Sequence, residues 1–258
     1  MTEIFLQLAQ ANGIGQEWFL SAVLVFLRVG AALSVMPAFG EQVVPRRVRL
    51  VLALAFTAIV GPAVAPDMGL IAGPLRAGAI EVLVGLAIGI SLRLFIFALQ
   101  IAASIIAQVT SLSQLFGGAT PDPQPAIGNL LVVTALALAV LSGLHVKAAS
   151  LLILSYSILP AGHFPGTADM ADWGLAQIVR AFSLAFALAA PFVIGSVLYN
   201  VALGIINKSM PQLSVALVGA PLLTAASLAL MVVATPLMLG VWIDSFDGFL
   251  AQPFRATP

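Results

Sequence analysis

The sequence predicts an all-α membrane protein of about six long, kinked helices arranged as helical hairpins, and three observations predict it. Of the 258 residues, 61% are hydrophobic and 8% charged, which leaves too little polar surface to cover a water-soluble globule. The charges are separated by apolar stretches of the roughly 20 residues that a bilayer crossing takes. Pro191, Pro221 and Pro236 stand inside the later stretches, where proline bends a helix.

The first helix is expected over about residues 18–36, ending at Pro37 with Arg28 in its middle. The second covers about 48–64 and closes at the turn between Pro62 and Pro66. The third starts at Pro74 and reaches Gln108, longer than one hydrocarbon core at about 1.5 Å per residue, so it must tilt, kink or project. A loop follows over 116–128, where Gly117, Gly118, Pro121, Pro123, Pro125 and Gly128 suit neither helix nor strand. The fourth helix covers about 129–159 and breaks around Gly143. The fifth and sixth, about 175–206 and 213–243, form a helical hairpin around the short turn from Asn207 to Pro211.

Charge excludes some functions and orients the chain. Ten Lys and Arg balance ten Asp and Glu without a basic block, so no nucleic-acid partner is expected. The lack of cysteine excludes disulfide scaffolds, thiolate metal sites and Cys nucleophiles. The first seventeen residues hold Glu3 and Glu17 but no Lys or Arg, unlike a cleavable signal, so the mature chain is expected to start here. Arg46, Arg47 and Arg49 after the first helix and Lys208 in the last hairpin mark the cytoplasmic side. Both termini then lie outside, as do predicted loops and a tail bearing Asp67, Asp169, Asp172, Asp244 and Asp247.

The third helix carries the most informative pattern. Gly78, Glu81, Gly85, Gly89, Arg93, Gln100 and Ser104 share one face, and Gly85 to Gly89 is a GxxxG that lets another backbone approach. Twelve residues put Glu81 and Arg93 about 18 Å apart, too far to pair, so each needs another partner. The bland reading is a packing face with charges snorkelling to headgroups; the sharper one is a face buried in an assembly or lining a water path. Similar stripes run through Ser196, Asn200, Gly204 and Asn207, and through Thr224, Ser227, Met231, Thr235 and Met238. Three such stripes exceed what one small bundle needs to satisfy.

An enzyme fits poorly. Ser196 with His145 or His163 is weak support for an intramembrane serine protease, no HExxH offers a zinc site, and no phosphate-binding glycine loop is present. No cofactor is expected. A proton-coupled transporter would use Glu81, Arg28 and Arg93, but the chain lacks the matching halves such folds display. A non-enzymatic channel subunit accounts for the polar stripes as faces toward partners or a lumen, with the Gly/Pro loop as its closure.

Two stretches, RVGAALSVMPAFGEQVVPRRVRLVLAL from Arg28 and GIINKSMPQLSVALVGAP from Gly204, resemble the FliR family of flagellar type III export, called SctT in injectisomes. Gly143, His145 and the run Leu159, Pro160, Ala161, Gly162 are similar to further family positions, and the similarity spans essentially the whole chain. The loop departs from the pattern: Phe116, Gly117, Gly118, Ala119, Thr120 and Pro121 precede Asp122 and Pro123 where members commonly have Phe-Ala-Thr before Asp-Pro.

The resemblance implies a subunit of the export gate in the bacterial inner membrane, at the flagellar basal body. Its partners would be FliP-like and FliQ-like subunits, an FlhB-like protein at the cytoplasmic entrance, membrane lipid and unfolded protein substrates. Within a single membrane domain, residues 18–174 would form a FliP-like part, 175–243 a FliQ-like hairpin and 244–258 a tail. A plug over about 111–127 would include Ser111, Leu112, Ser113, Gln114, Leu115, Phe116, Gly117, Gly118, Pro121, Asp122 and Pro123. Assembly or lumen-facing positions would be Arg28, Glu81, Gly85, Gly89, Arg93, Asn200, Asn207, Lys208, Pro211 and Gln212.

Overall fold

The computed structural model describes residues 2–64, 73–111, 124–209 and 215–254, with backbone alone for 2–17, 110–111, 124–127 and 215–224. These described residues form seven α-helices and no strand: α1 (Thr2–Val35), α2 (Arg46–Val64), α3 (Pro74–Ser111), α4 (Gln124–Leu141), α5 (Leu144–Ile158), α6 (Thr167–Ser209) and α7 (Val215–Ala251).

Local chemistry explains the boundaries. Pro37 cannot continue the amide ladder of α1, and the chain turns through Ala38 in the left-handed region at φ 66°. The Gly40 amide donates to the Met36 carbonyl at 2.8 Å. A Cβ on Gly40 would lie 2.5 Å from the Ser34 carbonyl oxygen, so this turn requires glycine. Pro74 opens α3 at the position where a missing N–H costs nothing, after Gly73 at φ 78°.

The expected break in the fourth helix lies at Gly143. Its φ of 85° separates α4 from α5. The last residues of the expected loop are helical, because α4 begins at Gln124 rather than 129. Pro125 stands in the first turn, which tolerates proline, so it starts a helix instead of preventing one.

The acidic segments expected as loops are also helical. Asp169 stands in the first turn of α6, where a carboxylate complements the helix dipole. Asp244 and Asp247 lie within α7, because buried Trp242, Phe246 and Phe249 continue its apolar face to Ala251.

The chain divides into two compact units, Met1–Arg93 with Val140–Ala176 and Leu250–Pro258, and Leu94–Ala139 with Gln177–Phe249. In the first, Leu24, Val29, Phe56, Val60, Val84 and Leu152 are buried, with Phe39 edge-on to Phe56 at 5.5 Å. Its C-terminal residues are anchored by Trp173, whose indole N–H donates to the Pro253 carbonyl at 3.0 Å while its ring stacks on Phe254. In the second, Trp242 is fully buried, stacked on Phe246 at 5.0 Å, and donates to the Phe95 carbonyl at 2.8 Å. An indole is tolerated at such depth because its N–H has a partner.

Five helices are long and apolar enough to cross a membrane, or six if the bent pair of α4 and α5 counts as one span. Many of their side chains remain outward-facing, including Leu198, Val201 and Ile205 on α6 and Val232, Val233 and Leu237 on α7. The six-span expectation and the all-α membrane class therefore match what the helices can do by length and composition.

Candidate functional site

The most polar point of the first unit is also among its most buried. Arg28, two turns before the end of α1, and Glu81, in the second turn of α3, are both fully enclosed. Their approach depends on glycine: a Cβ on Gly85 would lie 2.2 Å from the Arg28 carbonyl oxygen, and one on Gly89 2.5 Å from that of Ala32. The GxxxG face of α3 thus packs against α1 of the same chain.

That contact brings the two charges together. The Arg28 Nε donates to Glu81 Oε2 at 2.6 Å and Nη2 to Oε1 at 3.0 Å, a bidentate pair. Nη1 donates to the Ser155 hydroxyl at 3.1 Å, and Nη2 also donates to the Leu159 carbonyl at 2.9 Å. The guanidinium lies 3.7 Å from the centre of the Tyr156 ring, while the Tyr156 hydroxyl donates to Glu81 Oε2 at 3.1 Å. The Gly162 amide, reached through a left-handed φ of 71°, donates to Glu81 Oε1 at 3.0 Å.

Burying two ions is expensive, and mutual attraction compensates only when the remaining donors and acceptors are also engaged. Here the surrounding hydroxyls and backbone groups complete the network, which fastens α1, α3, α5 and the turn from Leu159 to Gly162 into one clasp. It leaves no open coordination position and no exposed reactive atom. Its chemistry is positional.

Both charges were expected on an assembly or lumen face; instead the structure buries them against each other, because an enclosed charge is most cheaply satisfied by an opposite one at hydrogen-bonding distance. Gly85 and Gly89 are likewise taken up by α1 rather than left for another subunit. Arg93 is not paired with Glu81, as the helical rise requires, but with Glu41 in the α1–α2 loop, both side chains about one-fifth exposed. The same loop is tied by Arg49, which donates to the carbonyls of Glu41 at 2.8 Å and Val44 at 3.2 Å.

In the second unit, Asn200 is exposed and its amide donates to the Ser196 hydroxyl at 3.3 Å, which donates in turn to the Val109 carbonyl at 2.9 Å. Asn207 and Lys208 are exposed in the last turns of α6, where the lysine charge complements the helix dipole. Pro211, Gln212 and the expected plug residues from Leu112 to Pro123 lie outside the described residues; Ser111 is the last residue of α3. Glu41, Ser155, Tyr156 and the Gly162 amide join these contacts without having been expected from the sequence. Glu41 had a signal of its own, as the lone acid among the arginines between residues 18 and 66.

The bacterial export proteins, family 1, match this chain over residues 19–249, a span that contains the whole clasp. The chain belongs to this family. The FliR-family relationship is equally continuous in individual proteins. The chain is 34% identical over 235 residues to the flagellar biosynthetic protein FliR of Caulobacter vibrioides, covering 89% of this chain and 94% of that one. It is 30% identical over 220 residues to FliR of Escherichia coli, covering 82% and 83%, and 28% identical over 241 residues to FliR of Bacillus subtilis, covering 90% and 92%. For this FliR-family chain, the clasp joins residues from the first resemblance stretch and from the Leu159 to Gly162 run.

Proposed function

We propose that this chain is a non-enzymatic core subunit of the flagellar type III export gate, forming with FliP-like and FliQ-like subunits the channel that passes unfolded flagellar proteins across the inner membrane. The observation that carries this reading is the nearly full-length relationship to FliR proteins. The apolar side chains left outward on α6 and α7 support it, since sister subunits as well as lipid can cover them. An FlhB-like protein would stand at the cytoplasmic entrance, and the energy would come from the proton-motive force and a separate ATPase.

The transporter alternative loses its main support, because Glu81 and Arg28 are committed to one another. The protease alternative weakens likewise: the Ser196 hydroxyl is turned into the Val109 carbonyl, and the exposed His163 ring contacts the Ala161 carbonyl at 3.0 Å.

Deleting the chain should abolish filament assembly and secretion of flagellar subunits, and restoring it should return both. Mild detergent extraction should recover it with FliP-like and FliQ-like proteins. Normal secretion without the chain, or a folded monomer with no partner, would overturn the reading. Within this proposal residues 111–127 close the conduit, so shortening the loop from Gly117 to Gln124 should raise ion leakage before export is lost. Complete loss of export with unchanged leakage in an assembled complex would assign the loop to substrate recognition.

A further inference from the structure

The first unit holds a cavity of about 280 Å³ beside the clasp, between the first half of α3, the end of α5 and the start of α6. Its inner wall is apolar: Val84 and Ile88 are buried, and Ile158 and Met170 complete it. The rest of the lining is of another kind. Exposed Asp169 brings a carboxylate to the mouth, and Trp173 and Phe254 bring aromatic rings stacked on one another at 6.1 Å. The Asp169 side chain lies over Gly166, where a Cβ would come within 2.7 Å of its Oδ2. It makes no hydrogen bond or ion pair among the described residues.

The geometry points to a site for the primary ammonium headgroup of an ethanolamine phospholipid, with the upper part of one acyl chain against the apolar wall. A primary ammonium carries three N–H donors and a positive charge, and both a carboxylate and an aromatic face attract it. An anionic headgroup would be repelled by Asp169, and a choline headgroup has no N–H to donate. The cavity is at the small end of ligand pockets and too small for a helix of about 10 Å diameter, so it takes part of a lipid and not a segment of another protein. The membrane supplies the ligand. The spanning stretch of α6 starts at Thr167, two residues before Asp169, and Phe164 and Leu175 to either side are outward-facing. Aromatic side chains collect at that boundary, level with the headgroups. Leu159 belongs to the same lining and its carbonyl accepts from Arg28 Nη2 at 2.9 Å, so a bound headgroup braces the turn that completes the clasp. The site requires only that the chain spans a membrane, and it stands whether or not the export-gate reading does.

In the complex extracted from membranes with mild detergent, a phosphatidylethanolamine carrying a diazirine on its acyl chain should photolabel the stretch from Ile158 to Trp173. Unlabelled phosphatidylethanolamine should compete, and phosphatidylcholine or phosphatidylglycerol with the same chains should compete about threefold to fivefold less well. Asp169→Asn, at an exposed position, should reduce labelling by about the same factor. Ala87→Leu, which fills the cavity without touching a charge, should abolish it. Equal competition by phosphatidylcholine would mean that no ammonium N–H is read, and better competition by phosphatidylglycerol would reverse the charge preference. Competition by free ethanolamine as strong as that of the lipid would make the ligand a soluble amine. Undiminished labelling of Asp169→Asn would detach the site from its carboxylate, and no label between Ile158 and Trp173 would leave the cavity without this lipid. Each of these five results overturns the inference.

Discussion

Glu81→Leu should destabilise the first unit by about 3–5 kcal/mol, because it leaves the Arg28 guanidinium enclosed without its counter-ion. The Tyr156 hydroxyl and the Gly162 amide lose an acceptor in the same step. Arg28→Leu should be comparably severe. The double variant Arg28→Leu with Glu81→Leu should be less destabilised than the sum of the two, since it removes both charges together. Thermal unfolding of the detergent-solubilised complex, alongside the amount of chain retained in membranes, measures the effect. A change no larger than that of Leu83→Ala, at a position about half exposed on the same helix, would mean that the clasp does not hold the unit together. Glu81→Gln that folds and assembles normally yet stops export would assign the carboxylate a part in transport.

Gly85→Val should be nearly as damaging by a different route. Its first added carbon would meet the Arg28 carbonyl oxygen at 2.2 Å, and that neighbour is backbone, so α1 and α3 must separate. Overpacking alone costs about 1–3 kcal/mol, and separation would also lengthen the bidentate contacts of Arg28 with Glu81. Gly30→Ala is the matched control, because no atom lies within 4 Å of the position a Cβ would take there. Chain levels in membranes should fall for Gly85→Val and stay unchanged for Gly30→Ala. Equal levels would show that the close approach of the helices is dispensable.

The helices were legible because their signal is compositional: a span must be apolar regardless of what covers it. The requirement that Glu81 and Arg93 find separate partners was legible too, since helical rise fixes their separation. Which partners they find was not. Arg28 and Glu81 stand 53 residues apart and Arg28 and Ser155 127 apart, and nothing in a single sequence ties positions so distant. The small residues at Gly85 and Gly89 announced a close approach without saying whose backbone approaches. Helix ends are hard to read where polar residues continue a helix instead of starting a loop. Asp244 and Asp247 are compatible with a helix whose other face holds Trp242, Phe246 and Phe249. The Leu159 to Gly162 run stood out only by resemblance, because its contribution is a carbonyl and an amide that every residue type possesses.

The reach of the clasp also sets a timetable. During synthesis Arg28 emerges long before Leu159, whose carbonyl it will hold 131 residues later. At about 5–20 residues per second, that interval is roughly 7 to 26 seconds. Throughout it, α1 and then α3 must be kept in or near the membrane with the arginine still waiting for its last acceptor, so the insertion machinery or water has to shelter the charge. A nascent chain arrested before Tyr156 would hold the arginine–glutamate pair at most half-dressed. Ribosome-bound intermediates of increasing length should therefore gain protease resistance abruptly once Gly162 has cleared the exit tunnel, and not gradually as each helix appears.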